Sequence, residues 1–284
     1  TSPSRCIAVG DYTNSGGREV TLAEAWNGSS WKIQTTRNPT GAQSAGLSGV
    51  SCTAATCTAV GNYVSSGGTE LTLVEVWNGT GWTIRPTADP ADAQAARLSA
   101  VSCTRASSCI AVGSYIITDS SGKEVTLAEV WNGANWKIEA TPNPTDTEID
   151  LLSGVSCTAT SACIAVGSAD GGRLAEVLKG TSWKLQAIPS PAGAQASSLS
   201  GISCSAVSAC ITVGNYTNIG GVELTLAEVW NGADWKVQPS LDPGGAPQSY
   251  LSGVSCFRAS VCTAVGGYNP VDNTVGVTLA EGYF

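Results

Sequence analysis

Residues 98–138 read Leu-Ser-Ala-Val-Ser-Cys (98–103), then Cys-Ile-Ala-Val-Gly-Ser-Tyr (109–115), Val-Thr-Leu-Ala-Glu-Val-Trp (125–131), Asn-Gly (132–133) and Trp-Lys-Ile (136–138). The first segment is short, uncharged and built of small residues. In the second, Cys109, Ala111 and Gly113 alternate with Ile110 and Val112, the period of two that marks a strand. Both faces are apolar, so this strand is expected to be covered on both sides. Val125 to Trp131 gives a third strand, Asn132-Gly133 is the strongest short hairpin signal, and Trp136 to Ile138 begins a fourth. Charge rises outward along the passage: Glu129 stands in the third strand and Lys137 in the fourth, opposite Trp136 and Ile138. Lys is what proteins place on exposed sheet edges. The first strand is therefore expected at the centre and the fourth at the rim, which is the plan of a β-propeller blade.

The same cassette returns six times. Its second cysteine falls at Cys6, Cys57, Cys109, Cys163, Cys210 and Cys262, a period of about 50 residues and within the range of radial or solenoid repeats. The expectation is an all-β chain, one propeller domain over residues 1–284. Its units run approximately 1–46, 47–97, 98–150, 151–198, 199–250 and 251–284. Cys6 aligns with Cys109, yet the chain begins after the place of its partner; at the other end Glu281-Gly282-Tyr283-Phe284 aligns with Glu129 to Asn132, and no fourth strand follows. The count is 22 strands, which favours six four-stranded blades with incomplete ends over a five-blade closure.

Cysteine chemistry sets the compartment. Eleven cysteines without a single histidine lack the second pair or the imidazoles that complete a tetrahedral zinc site. They suit disulfides, Cys52–Cys57, Cys103–Cys109, Cys157–Cys163, Cys204–Cys210 and Cys256–Cys262, one per complete blade, each stapling the first turn. That usage belongs to an oxidising, extracellular setting. No metal and no cofactor is expected. A net charge of −8 and a pI near 4.5 repel phosphate backbones, so no nucleic-acid partner is expected. No apolar run approaches the roughly 20 residues of a membrane span, and no leader is recognisable, so the chain reads as a mature, secreted protein.

The order Leu-x-x-Val-Ser, x-Ala-Val-Gly, a third strand ending at a turn with Gly, and then Trp-x-x-Gln resembles secreted bacterial propellers of the BNR or Asp-box-like superfamily. With Leu-Ala-Glu-Val-Trp-Asn-Gly-x-x-Trp and cysteine pairs, it is similar to exported repeats of actinobacteria. The resemblance implies a lectin, an adhesion or targeting module or, in the sialidases, an enzyme. The turns carry Asn27, Asn78, Asn132 and Asn231 where the Asp-box has aspartate, and no arginine triad is recognisable among 14 basic residues. Both departures argue against sialidase chemistry.

Two repeated features read as structural. The second tryptophan of each Trp-Asn-Gly-x-x-Trp motif persists as Trp183 where the fourth unit has Leu178-Lys179, the behaviour of packing between blades. Glu24, Glu75, Glu129, Glu176, Glu228 and Glu281 recur in every unit; a catalytic acid must be differentiated from its neighbours, so these read as acceptors for backbone N–H groups or Lys. With strands alternating in direction, the disulfide and Asn-Gly turns share one face. The longer connections, such as 13–18, 143–150 and 269–275, share the other, where function concentrates. There sit Tyr12, Tyr63, Tyr115, Tyr216 and Tyr268, accompanied by Asp11, Asn62 and Asn215. An aromatic face beside an amide or carboxylate is the pairing a sugar ring needs.

The expected function is a non-enzymatic, lectin-like propeller with several weak equivalent sites. Its partner would be a glycan or cell-surface polysaccharide, bound as a cell-surface targeting module. A protein partner in a larger extracellular complex is the alternative, and a glycan-cleaving enzyme ranks last.

Overall fold

The computed structural model describes residues 5–54, 56–119, 122–259, 261–270 and 275–283. Among them are 22 strands, in two compact units of residues 1–141 and 142–284. The first unit holds β1 (Cys6–Thr13), β2 (Glu19–Trp26), β3 (Trp31–Gln34), β4 (Ser44–Cys52), β5 (Cys57–Val64), β6 (Glu70–Trp77), β7 (Trp82–Arg85), β8 (Ala93–Arg105), β9 (Ser108–Ile117), β10 (Glu124–Trp131) and β11 (Trp136–Glu139). The second holds β12 (Asp150–Ala159), β13 (Ala162–Ala169), β14 (Gly172–Lys179), β15 (Ser182–Leu185), β16 (Ala196–Ala206), β17 (Ala209–Thr217), β18 (Glu223–Trp230), β19 (Trp235–Gln238), β20 (Gln248–Arg258), β21 (Val261–Asn269) and β22 (Val277–Tyr283).

Pairing within each repeat is antiparallel and sequential, as in β4-β5-β6-β7 and β12-β13-β14-β15. Single parallel bridges, Glu70 to Ala95 and Glu223 to Gln248, tie a third strand to the next repeat's first strand. All five disulfides join directly opposed residues of a first and a second strand, at Cα separations of 4.0 Å. Cys6 is an exposed free thiol. Among the described residues no helix is long and apolar enough to cross a membrane.

The sequence motif Leu-Ser-Gly hides a β-bulge. Register shifts fall between Leu47 and Gly49, Leu98 and Ala100, Leu152 and Gly154, Leu199 and Gly201, and Leu251 and Gly253. The extra residue bends the first strand over the second and drives a carbonyl onto the glycine of Ala-Val-Gly. A Cβ on Gly61 would lie 2.0 Å from the Gly46 oxygen; on Gly113, 2.0 Å from that of Arg97. Only glycine fits there.

Within each unit, first strands of successive repeats lie against one another, β4 on β8, β12 on β16 and β16 on β20. A Cβ on Gly49 would stand 3.0 Å from the Ser99 oxygen, and one on Gly201 3.1 Å from the Gly253 Cα. Within the units, the serine before the cysteine binds the following repeat: Cys103 N donates to Ser51 Oγ (3.0 Å), Cys204 N to Ser156 Oγ (2.9 Å) and Cys256 N to Ser203 Oγ (3.0 Å). The second strands β5, β9, β13 and β17 are buried over most of their length, as their two apolar faces require, whereas β1 and β21 are partly exposed. At the rim the reading needs amendment. Ile33, Ile84, Ile138, Leu185 and Val237 share a strand face with the motif tryptophans yet stay exposed, because the fourth strand has no outer neighbour to cover them.

Candidate functional site

Four of the six repeated glutamates are buried, and Glu24 and Glu281 are half-buried. Glu75, Glu129, Glu176 and Glu228 are fully buried. Glu75 Oε2 accepts from Arg37 N (2.9 Å), Glu129 Oε2 from Ala88 N (3.3 Å) and Glu281 Oε2 from Leu241 N (3.4 Å), in each case the backbone just beyond the preceding repeat's fourth strand. Burial pushes the carboxyls of Glu75, Glu129 and Glu228 up to about 7. At Glu228 the aligned donor position is Pro189, which has no N–H; Arg173 lies there instead, Nε 3.3 Å from Oε1. Acceptors of this kind join repeats at Glu75, Glu129 and Glu281.

The motif tryptophans are also structural. Trp82, Trp136, Trp183 and Trp235 are buried, and each of Trp82, Trp136 and Trp235 stacks at a tilt on its partner Trp77, Trp131 or Trp230, with centroids 5.5 to 5.9 Å apart. Trp82 Nε1 donates to Gln34 Oε1 of the preceding repeat (2.9 Å). Trp31 differs, being 48% exposed.

A motif that sequence reasoning passed over organises the longer-loop face. Each fourth strand leads into an Asx-Pro or Ser-Pro step, and the Asn or Asp side chain reaches back to a third strand: Thr21 N donates to Asn38 Oδ1 (3.1 Å), Thr72 N to Asp89 Oδ1 (2.8 Å) and Thr225 N to Asp242 Oδ1 (2.8 Å). A turn closed by Ala42 N to Pro39 O (3.1 Å), and likewise by Ala194 N to Pro191 O and Ala246 N to Pro243 O, follows. The recurring Pro-x-x-Ala spacing, readable in the sequence, was the available signal. Connection 143–150 has the same Pro start, with Asp146 in the left-handed region at φ 64°. Of the connection 269–275, residues 271–274 lie outside the described residues.

On this face the expected ligand residues have mixed surroundings. Tyr12 is 50% exposed. Tyr63, Tyr115, Tyr216 and Tyr268 are half-buried, and the first three pack against core clusters, leaving part of each ring free. Burial raises the phenols of Tyr63 and Tyr115, with Asp89 and Asp92 adding to it. The companion amides have partners in the chain: Asn62 Nδ2 donates to Glu70 Oε1 (2.8 Å) and Asn215 Nδ2 to Glu223 Oε1. Asp11 sits beside Glu19, whose carboxyl is raised by a hydrogen bond to Asp11 and by its charge.

Two recesses open here in the first unit. A cleft of about 310 Å³ lies between the β1–β2 loop and the β3–β4 connection, lined by Asn14, Arg18, Glu19, Val20, Asn38 and Ser44, among others. A smaller recess of about 100 Å³ shares Glu19, Ser44 and Ala45 with it and brings Asp11 and Asn62 together. Tyr12 pairs across the strands with Val20 and so stands on the face of β1 opposite Asp11, outside the lining of both recesses. Among the described residues no group of three or more His, Cys, Asp or Glu side chains is arranged to hold a metal ion.

No family model matches this chain, and no curated protein matches it. Solved structures do. A sialidase of Trypanosoma rangeli, in complex with difluorosialic acid, superposes with a TM-score of 0.60 at 11% identity, over 98% of this chain and 52% of its own. The fucose-specific lectin of Aleuria aurantia gives 0.56 at 11% identity, over 99% of this chain and 92% of its own. YCF48 bound to D1 peptide gives 0.51 at 10% identity, over 93% and 71%. The fold is of the β-propeller type. At such identities the likeness is one of fold alone, and the chain spans about half the length of the sialidase. In propeller terms the polar cleft lies on the longer-loop face, away from the disulfide turns.

Proposed function

We propose that this chain is a secreted, non-catalytic carbohydrate-binding propeller that targets cell-surface glycans, with its six repeats as blades of one domain. The observation that carries the reading is the cleft between residues 14–20 and 38–45. It offers carboxylate, amide, hydroxyl and guanidinium groups around a space of about 310 Å³, the size of a sugar unit or two, and the exposed Tyr12 lies at the same end of β1 on its opposite face. Hydroxyl-rich ligands need such mixed donors and acceptors, and an exposed ring for their C–H faces. Tyr63, Tyr115, Tyr216 and Tyr268 repeat the aromatic element, and several weak sites gain avidity on a surface. The use of Glu75 and Glu129 as buried acceptors for backbone N–H groups speaks against a hydrolytic role for the repeated glutamate. The lectin likeness supports the reading at the level of fold, and the disulfides favour an extracellular setting.

The test is binding of the purified protein to arrays of microbial and host glycans, repeated with Tyr12→Ala, Tyr63→Ala and Arg18→Ala. Binding competed by free saccharide and weakened by these changes is expected. A protein ligand is the competing reading, favoured by the peptide carried by the YCF48 structure. Silence on every glycan, together with stoichiometric capture of one extracellular protein, would replace the first reading with the second.

A further inference from the structure

Five second strands, β5, β9, β13, β17 and β21, lie between a first strand and a third. In each the cysteine is disulfide-bonded, the residue two positions on (Ala59, Ala111, Ala165, Thr212 or Ala264) is 0% exposed, and the glycine two further meets a neighbouring carbonyl. β1 carries the same residues, Cys6, Ala8 and Gly10. It pairs with β2 in the same register, Cys6 opposite Trp26 as Cys57 is opposite Trp77. Yet Cys6 and Ala8 are exposed, and a Cβ on Gly10 would meet nothing within 4 Å. Among the described residues no strand pairs with β1 away from β2, and it presents there an apolar edge shaped like five that are occupied.

We propose that this edge docks an extended segment of the pattern Leu-Ser-Gly-Val-Ser-Cys, antiparallel to β1, whose cysteine forms a disulfide with Cys6. The occupant is specified by the chain itself. At the other edges Cys52 opposes Cys57, Val50 opposes Ala59 and Leu47 opposes Gly61 across the bulge, so the segment's cysteine, valine and leucine fall opposite Cys6, Ala8 and Gly10. Small residues are demanded because adjoining first strands approach to within van der Waals contact, as at Gly49 and Gly201. An unpaired strand edge offers the backbone donors and acceptors for strand addition. The covalent step is thiol–disulfide exchange: the Cys6 thiolate attacks the cysteine sulfur of a segment held as a mixed disulfide with a small thiol. The new Sγ–Sγ bond forms as the old one breaks, and the small thiol leaves as thiolate with the electron pair.

The experiment offers the intact protein a synthetic Leu-Ser-Gly-Val-Ser-Cys peptide activated as its thionitrobenzoate mixed disulfide, beside an order-scrambled isomer ending in the same cysteine. Released thionitrobenzoate and intact mass are the readouts. One peptide per chain is expected, attached roughly tenfold faster than the isomer because docking raises the local concentration of the reacting sulfur. Cys6→Ser should abolish the adduct. Gly10→Ala has open space for its methyl and should leave unfolding unchanged, but should remove the advantage of the matched peptide by meeting the incoming carbonyl. Equal rates for the two peptides, an advantage that survives Gly10→Ala, or a Cys6–Cys6 dimer formed in preference to the adduct would each overturn the proposal.

Discussion

Arg173 Nε stands 3.3 Å from Glu228 Oε1, with both side chains nearly sealed from solvent, where the aligned donor position is Pro189 and offers no N–H. Other repeats have threonine where Arg173 is: Thr21, Thr72, Thr126 and Thr225. The guanidinium also donates to Ser197 and Ser190. Arg173→Thr should cost about 3–5 kcal/mol, the usual penalty for leaving a buried charge without its partner. Adding Pro189→Ala supplies an N–H and should recover part of that loss, a non-additivity that urea unfolding of the single and double variants would measure. Additive losses would mean that the two residues serve Glu228 independently.

Acid should stabilise this protein. The carboxyls of Glu75, Glu129 and Glu228 stand at about 7 against an ordinary value of 4.5, chiefly through burial. A raised folded-state value means that the native form holds a proton the unfolded chain has released. The stabilisation is complete below 4.5 and is lost as pH rises through about 7, on the order of 1–3 kcal/mol per group. Denaturant midpoints should therefore be higher at pH 5 than at pH 8, and Glu75→Gln should flatten the difference. Equal midpoints at both pH values would contradict it.

Glycine at the bulge is sharply position-dependent. Gly61→Ala or Gly113→Ala drives a methyl into a backbone oxygen at 2.0 Å and should destabilise by at least about 3 kcal/mol, beyond the range of ordinary overpacking. Gly10→Ala, at the same motif position with open space around it, should leave the melting temperature unchanged within error. Thermal melts of the three variants make the comparison.

Each disulfide closes a loop of five or six residues, for which the chain-entropy model gives roughly 2 kcal/mol. Replacing Cys103 and Cys109 together by Ala should lower stability by about that amount without changing the far-ultraviolet spectrum, because Val101, Ala111 and Val112 stay buried around the site. Loss of all strand signal would show that the bond defines the blade rather than trimming its unfolded state.

Strand order and disulfides were legible because they follow from short-range signals: alternation from Cys109 to Gly113, the Asn132-Gly133 turn, and the spacing of cysteines. The acceptor role of Glu75 followed from its repetition, whereas its burial did not. The bulge at Leu47 to Gly49 was not legible, because an extra residue reveals itself only against the partner strand. The same holds for the Asp89 side chain, which acts on Thr72, and for Asn62, whose amide meets Glu70 eight residues on. Tyr12 to Tyr268 were found as a series, but how much of each ring is free depends on neighbours that a single cassette does not contain. The cleft near Asn38 joins two connections distant in sequence, beyond the reach of any motif.

The hydroxyls of Ser51, Ser156 and Ser203 each receive the backbone N–H of a cysteine one repeat further along. A repeat is thus finished by its predecessor: the strand that carries its disulfide is held by a serine it does not own. Excising one cassette would strip an acceptor from the next, so such an array should grow or shrink in evolution by whole, in-frame units, with each junction read by a single hydroxyl.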